Sequence, residues 1–284
     1  QVGLGLFSAG GGVSAEYVPR AAAAGCVVVD NTSHFRNEPE IPLVVPEVNL
    51  HALDGHQGII ANPNCSTIQL VVALKPIYDA VGIRRVNVAT YQAVSGAGKK
   101  AIEELAGQTA DLLGGKKPSI EAMPKQIAFN VIPEIDDFQD NGYTREEMKL
   151  VWETRKILED DSIMVNPTTV RVPVFFGHSE AVHLETREPI TALEVRDLLS
   201  AAPGVSVIDE RKPGGYPTAV TEAANQDGIF VGRIREDISC DRGVNLWIVA
   251  NNIRKGAALN SVQISEALVR GNLMEASRSN CLVS

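Results

Sequence analysis

Residues 4–30 set the strongest limit on the fold. Leu4-Gly5-Leu6-Phe7 reads as a strand, and Ser8-Ala9-Gly10-Gly11-Gly12 as a glycine-rich turn. Ser14 to Ala24 carries a helical pattern that stops at Gly25, and Val27-Val28-Val29-Asp30 reads as a buried strand. Strand, turn, helix and strand in that order make a βαβ unit, which commits the chain to a parallel sheet. Glycines let the backbone approach a ligand, and the helix start that follows offers unpaired N–H groups to a phosphate. Ser8 and Gly10 are therefore candidate cofactor contacts. The run is not G-x-G-x-x-G, so a plain tight turn accounts for it equally well.

The polar run Asn31-Thr32-Ser33-His34-Phe35-Arg36 follows the second strand, at the carboxyl end where α/β sheets bind ligands. Arg36 could fork onto a phosphate or carboxylate, or it could be a solvated surface arginine. Ile41 to Asn49 is too proline-rich for a central strand and is expected as an extended wrapping segment. It leads through apolar Gly58-Ile59-Ile60-Ala61 to Asn62-Pro63-Asn64-Cys65-Ser66-Thr67. Behind that turn Ile68, Val71, Val72, Leu74, Ile77, Tyr78 and Val81 give a helix with one buried face. Cys65 thus falls in the first helical turn, where free N–H groups and the dipole favour a thiolate. A thiolate there is a nucleophile; a small buried apolar residue is the competing reading.

Arg85 to Tyr91 alternates as a half-buried strand and ends in Gln92-Ala93-Val94-Ser95-Gly96-Ala97-Gly98, a second small-residue loop. Gln92 could donate a hydrogen bond to a reacting oxygen or be an ordinary loop residue. Lys99 to Leu113 is helical; Lys116 to Asp140 is irregular and fits a dimer or surface loop. Thr144 and Glu147 form a capping box opening a helix to about Leu158. Glu146 and Lys149, three apart, share a face of it, as a solvated pair or as ligands for an ammonium and a phosphate. Thr168 to Val174 is a strand holding Arg171, and His178 stands at the junction with the strand after it. His178 is a candidate general base; His183, alternating within that strand, is assigned a structural role. Thr191 and Glu194 cap a helix to Ala202. Residues 205–208, 228–234 and 244–249 are strands, so the second half reads as a mixed α+β domain. Asn251-Asn252 precedes a helix from Lys255 to Arg270, and Leu273 to Ser284 carries no pattern.

The 284 residues suffice for one or two domains. A net charge of −9 argues against a nucleic-acid backbone or an anionic membrane as partner. A small anionic substrate stays possible, because a few arginines can be gathered in one cleft. Cys26, Cys65, Cys240 and Cys281 are widely spaced, with no C-x-x-C pair and no metal-ligand spacing. No apolar run approaches a membrane span and no signal peptide is visible, so a reducing cytoplasm is the simplest reading.

Taken together, the Asn62–Thr67 turn, Tyr91 to Gly98, Arg171-Val172-Pro173-Val174 and His178-Ser179-Glu180 resemble the aspartate-semialdehyde dehydrogenase family. Asp30 to Ser33, Val45 to Asn49 and Ala128-Phe129-Asn130 are similar to that family too. The resemblance runs from Leu6 to about Leu268. It implies an incomplete Rossmann-type nucleotide domain, residues 1–64 with 251–284. A mixed-sheet catalytic and dimerisation domain, residues 65–250, completes it.

The resemblance further implies reduction of aspartyl phosphate by NADPH, through a Cys65 acyl-thioester, in lysine, threonine and methionine biosynthesis. It makes His178 the acid/base, Gln92 the residue positioning the carbonyl, and Arg171 the grip on the substrate carboxylate. Glu146 becomes the ligand of the amino group, with Asn64 also at the substrate. Arg36 and Lys149 become the phosphate pair. Ser95, Gly96 and Asn252 join Ser8 and Gly10 as NADP contacts, and the expected assembly is a homodimer. A thiolate suits an acyl phosphate, being both a good nucleophile and a good leaving group. The family's opening strand and its G-A-T-G-A-V-G-like phosphate loop have no counterpart here. The chain therefore reads as N-terminally truncated, with an exposed sheet edge and weak or absent NADPH binding. N-acetyl-glutamyl-phosphate reductase and an inactive truncated paralogue acting only by dimerising are the alternatives.

Overall fold

The computed structural model describes residues 2–271. Three parallel strands, β1 (Leu4–Phe7), β2 (Val27–Asp30) and β3 (Ile59–Ala61), form a first sheet in that order. The register sets Phe7 beside Asp30 and Asp30 beside Ala61. All three strands therefore end on one edge, from which the loops starting at Ser8, Asn31 and Asn62 leave together. The crossover α1 (Gly11–Ala23) starts earlier than the expected Ser14, directly from the glycine turn. Val28 packs on one face with Val18 of α1, while Val27 and Val29 pack on the other with Ile264 and Leu268. Cover on both faces explains why Val27, Val28 and Val29 of β2 are apolar in succession instead of alternating.

The proline-rich segment is less extended than expected. Leu43 makes a single parallel bridge to Ala61. Pro46 then opens a one-turn helix, α2 (Pro46–Asn49), where its missing N–H costs nothing. Helix α3 (Cys65–Val81) also departs from expectation. It is buried on every side from Ser66 to Leu74, not on one stripe. The reason is its place between layers: its cluster takes in Val28 and Leu43 beside the first sheet and Val86, Val182 and Leu246 of a second. A helix enclosed on all sides carries apolar residues all round.

The second sheet has six strands: β4 (Ile83–Gln92), β5 (Met164–Arg171), β6 (His178–Thr186), β7 (Val205–Val207), β8 (Ile229–Glu236) and β9 (Gly243–Ala250). Their order is β5-β4-β6-β9-β8-β7, with β4/β5 and β7/β8 parallel and the other pairs antiparallel. Strand β5 spans an earlier stretch than expected and ends at Arg171. Pro167 is accepted within it because β5 is an edge strand. Helices α4 (Lys99–Leu113), α5 (Arg145–Leu158) and α6 (Ala192–Ala201) complete this half, and both expected capping boxes form. The last helix differs: Arg254–Ala258 is a π-helical turn and only Leu259–Arg270 is α-helical (α7). The pattern-free tail from Leu273 lies outside the described residues. Among the described residues no helix is long and apolar enough to cross a membrane. None of their His, Cys, Asp and Glu side chains form a group able to hold a metal ion.

Candidate active site

A cleft of about 490 Å³ opens where the carboxyl edge of the first sheet meets the second. Asn31, Ser33 and Arg36 reach it from the loop after β2, and Asn64 and Cys65 from the start of α3. Gln92, Ser95 and Gly96 come from the end of β4, Glu146 and Lys149 from α5, and Arg171 from the end of β5. Asn252 and Gly256 close the far side. Ser8 and Gly10 are not among its lining residues. They are exposed on the same sheet edge, with Gly10 at φ 101° opening α1.

The turn before Cys65 is held from three sides. The Asn62 amide donates to Asn31 Oδ1 at 2.6 Å, and its oxygen accepts from Asn260 Nδ2 at 2.7 Å. Asn64 caps α3, its Oδ1 accepting from the N–H of Ser66 at 3.0 Å and of Thr67 at 3.4 Å. Its Nδ2 donates to Glu146 Oε1 at 3.0 Å and its backbone N–H to Glu153 Oε2 at 2.7 Å. Asn64 is thus committed on both sides and sets the position of the Cys65 turn. Cys65 itself is half-buried. Burial, with the Glu146 carboxylate adding to it, pushes its thiol up to about 12. Arg171, Arg36 and the Ser66 N–H pull the other way without prevailing. The expected resting thiolate is therefore corrected to a thiol: burial outweighs the helix start.

Helix α5 supplies a row of charge. Burial raises the Glu146 carboxyl, but the Lys149 ammonium and hydrogen bonds from Gln92 and Asn64 prevail and hold it below the usual range. Lys149 Nζ donates to Glu146 at 3.0 Å and to Asp136 at 2.7 Å. Gln92 Nε2 donates to Glu146 Oε1 at 3.2 Å and to Thr90 Oγ1 at 3.3 Å. Arg36 Nη1 meets Glu153 Oε1 at 3.3 Å and Nη2 donates to the Asn31 carbonyl at 3.0 Å. Both candidate phosphate ligands therefore already hold carboxylates. Glu153 and Asp136 escaped the sequence reading. Glu153 was findable, because it repeats the Glu146 face seven residues on; Asp136 sits in an irregular loop with no periodic signal.

His178 lies directly behind the cleft and is fully buried. Its Nδ1 accepts from the Ala93 N–H at 3.0 Å, while Nε2 makes no hydrogen bond. Burial and the nearby Arg171 cation push its pKa down to about 3, so the ring is neutral. With Nδ1 accepting, the neutral ring keeps its proton on Nε2. Gly96 separates it from the cleft: a Cβ there would lie 3.4 Å from His178 Nε2 and 3.0 Å from Arg171 Nη1. Arg171 Nη1 donates to the Ala93 carbonyl at 2.8 Å. Asn252 ties this corner together, its Oδ1 accepting from the Gly177 N–H at 2.9 Å and its Nδ2 donating to Ser95 Oγ at 3.0 Å. Gly256 approaches Cys65 so closely that a Cβ would meet Cys65 Cβ at 2.8 Å.

Residues 1–56 match the family model for the semialdehyde dehydrogenase NAD binding domain, and residues 74–255 that for the semialdehyde dehydrogenase dimerisation domain. An aspartate-semialdehyde dehydrogenase of Legionella pneumophila is 66% identical over 279 residues, covering 98% of this chain and 80% of that protein. The chain belongs to the aspartate-semialdehyde dehydrogenase family. It is an oxidoreductase with a nicotinamide-nucleotide-binding domain. Among solved structures of the family, aspartate semialdehyde dehydrogenase II of Vibrio cholerae, complexed with ASA, is 61% identical. It superposes with a TM-score of 0.92 over 94% of this chain and 79% of that one. The Candida albicans aspartate semialdehyde dehydrogenase with NADP is 26% identical, with a TM-score of 0.75 over 95% and 78% of the two chains.

Proposed function

We propose that this oxidoreductase reduces 4-phospho-L-aspartate to L-aspartate 4-semialdehyde and phosphate, with NADP as its nucleotide, through a thioester on Cys65. The observation that carries this reading is the meeting of Cys65, Arg171 and Glu146 in one cleft, each from a different element. A cysteine flanked by a guanidinium and a carboxylate suits a substrate bearing an α-carboxylate and an α-ammonium. Arg171 takes the carboxylate, Glu146 the ammonium, and Gln92 orients the acyl group. Arg36 and Lys149 take the phosphate by exchanging the carboxylates they now hold. The Vibrio cholerae relative, solved with ASA, supports the substrate class.

In this reading the Cys65 sulfur attacks the acyl carbon, the C–O bond to phosphate breaks, and the thiol proton passes to a base. His178 is that base in the tautomer with its proton on Nδ1, which frees Nε2 to accept and releases the Ala93 N–H. A substrate carboxylate on Arg171 neutralises the cation that depresses the imidazole, so binding raises its basicity. The Gly177 carbonyl beside the ring favours the protonated form. Collapse of the tetrahedral adduct breaks the C–S bond, and His178 returns the proton to sulfur. The nicotinamide supplies the hydride when bound. Gly96, whose missing side chain keeps the space before Arg171 and His178 open, is the cradle that fits it. Ser95 and Asn252 frame that space, and Ser8 and Gly10 hold the phosphates at the sheet edge.

The enzyme acts as a homodimer in the cytoplasm, where the thiol stays reduced, and serves lysine, threonine and methionine biosynthesis. The uncovered face of the second sheet fits a second copy: Tyr91 and Trp247 lie 5.6 Å apart there, with Phe175 and Phe176 exposed on the loop beyond β5. The test is phosphate-dependent reduction of NADP by L-aspartate 4-semialdehyde, with N-acetyl-glutamate semialdehyde in parallel. Turnover of the first that disappears in Cys65→Ala is expected. Turnover of the second alone would reassign the substrate.

A further inference from the structure

One face of α5 carries four charges of alternating sign, and the mechanism above uses three of them. Glu146, Lys149, Glu153 and Lys156 stand three, four and three residues apart, so they form one stripe along the helix. Glu146 and Lys149 line the cleft, and Glu153 meets Arg36. Lys156, at the end of the stripe, is not among the lining residues. Its Nζ donates to three backbone carbonyls of a single loop: Arg36 at 2.9 Å, Glu38 at 2.7 Å and Ile41 at 2.8 Å. An ammonium has three N–H bonds, so all of them are spent on the loop after β2. That loop brings Asn31, Ser33 and Arg36 to the cleft, while Asn37 to Glu40 is exposed. The Glu38 N–H donates to the Phe35 carbonyl and the Ile41 N–H to the Glu38 carbonyl, each at 3.2 Å. Those two bonds shape the loop from within and do not tie it to α5.

We propose that Lys156 is a positioning residue for the phosphate site: it pins the backbone of the Arg36 loop to α5, so that the Arg36 guanidinium can leave Glu153 for a phosphate while the loop stays in place. The Arg36 side chain makes two contacts, one to Glu153 on α5 and one to the Asn31 carbonyl within its own loop. Of the two, only the first crosses to α5, and it is the one that a phosphate displaces. The Lys156 bonds use carbonyl oxygens and not the guanidinium, so the exchange leaves them intact. One of those carbonyls belongs to Arg36 itself, and the other two hold the chain just beyond it. A guanidinium on a drifting loop has to be ordered each time an anion binds. Fixing its backbone beforehand removes that cost from phosphate binding and leaves the other substrate's contacts untouched. Lys156 acts through Arg36 and touches neither substrate nor nucleotide.

The inference rests on Arg36 as the phosphate ligand of the proposed reaction, so it is tested by two readouts. Steady-state oxidation of L-aspartate 4-semialdehyde gives kcat and separate KM values for phosphate and semialdehyde. The second readout needs no turnover. Inorganic phosphate on Arg36 offsets a cation that favours the Cys65 thiolate, so it slows Cys65 alkylation by iodoacetamide, and its half-effect concentration reports phosphate affinity. Lys156→Met keeps the length of the side chain and removes the donors. It is expected to raise the phosphate KM and the half-effect concentration about tenfold, with kcat and the semialdehyde KM within about twofold of wild type. In an Arg36→Met background the same change should leave the remaining kcat/KM for phosphate unaltered. Lys156→Arg, which keeps donors for the carbonyls, should stay within about threefold of wild type. If Lys156→Met does not fold, Lys156→Gln is read by the same criteria. An unchanged phosphate KM overturns the proposal. So do equal rises in both KM values, or a further loss in the Arg36→Met background, either of which marks general damage. If the half-effect concentration shifts as expected while neither semialdehyde is turned over, the role of Lys156 stands and the assigned reaction falls.

Discussion

The Asn64 side chain donates to Glu146 at 3.0 Å while its oxygen caps the helix that begins at Cys65. One amide therefore fixes the distance between the nucleophile's helix and the carboxylate proposed for the substrate ammonium. Asn64→Ser keeps a capping oxygen but removes the donor to Glu146. It is expected to cost under about 1 kcal/mol of stability while lowering kcat/KM at least about tenfold. Asn64→Ala loses the cap as well, at about 1 kcal/mol more in chemical denaturation. Unchanged kcat/KM in the serine variant would show that Glu146 holds its place without Asn64.

Cys65, with its thiol pushed up to about 12, stays protonated across the physiological range. Alkylation of the free protein by iodoacetamide should be slow at pH 7.5 and rise about tenfold per pH unit to pH 10 without a plateau. A plateau below pH 8 would mean that the two arginines and the helix start prevail over burial.

His178 links folding to acid. Its folded pKa of about 3 lies below the unfolded value near 6.5, so the unfolded chain binds the extra proton first. Stability from this site is complete above about pH 6.5 and is lost as pH falls towards 3, on the order of 1.4 kcal/mol per pH unit between them. His178→Gln should flatten the fall of Tm between pH 6.5 and 5. An equally steep fall in that variant would place the acid sensitivity elsewhere.

Gly256 is tested by the smallest addition. A methyl there meets Cys65 Cβ at 2.8 Å, and both carbons are bonded directly to helical Cα atoms, so no side-chain rotation separates them. Gly256→Ala should lower kcat by about tenfold or more through a displaced sulfur, with folding retained. Full activity would show that the π-helical turn yields instead.

The sequence made some of this legible because local signals and tertiary context agreed. The βαβ opening, both capping boxes and the turn before Cys65 each depend on neighbours in the chain. Other features depended on what packs from afar. The all-round burial of α3 follows from two sheets that nothing in residues 65–81 announces. The thiol state of Cys65 was misjudged because the helix start is local, whereas its burial and Glu146 come from distant segments. The occupation of Arg36 by Glu153 joins residues 117 positions apart. The α5 face that carries both acids was readable from spacing alone, but the partner of each was not.

Two of the three cations lining the cleft already hold carboxylates: Arg36 rests on Glu153, and Lys149 rests on Glu146 and Asp136. Such internal counter-ions act as a filter. At those two cations chloride or a simple dicarboxylate offers only negative charge and must evict a carboxylate that then has no partner. A zwitterion brings its own ammonium to the displaced carboxylate, so every charge is matched after the exchange. The arrangement thus screens an abundant background of small anions in favour of amino-acid derivatives before any chemistry begins.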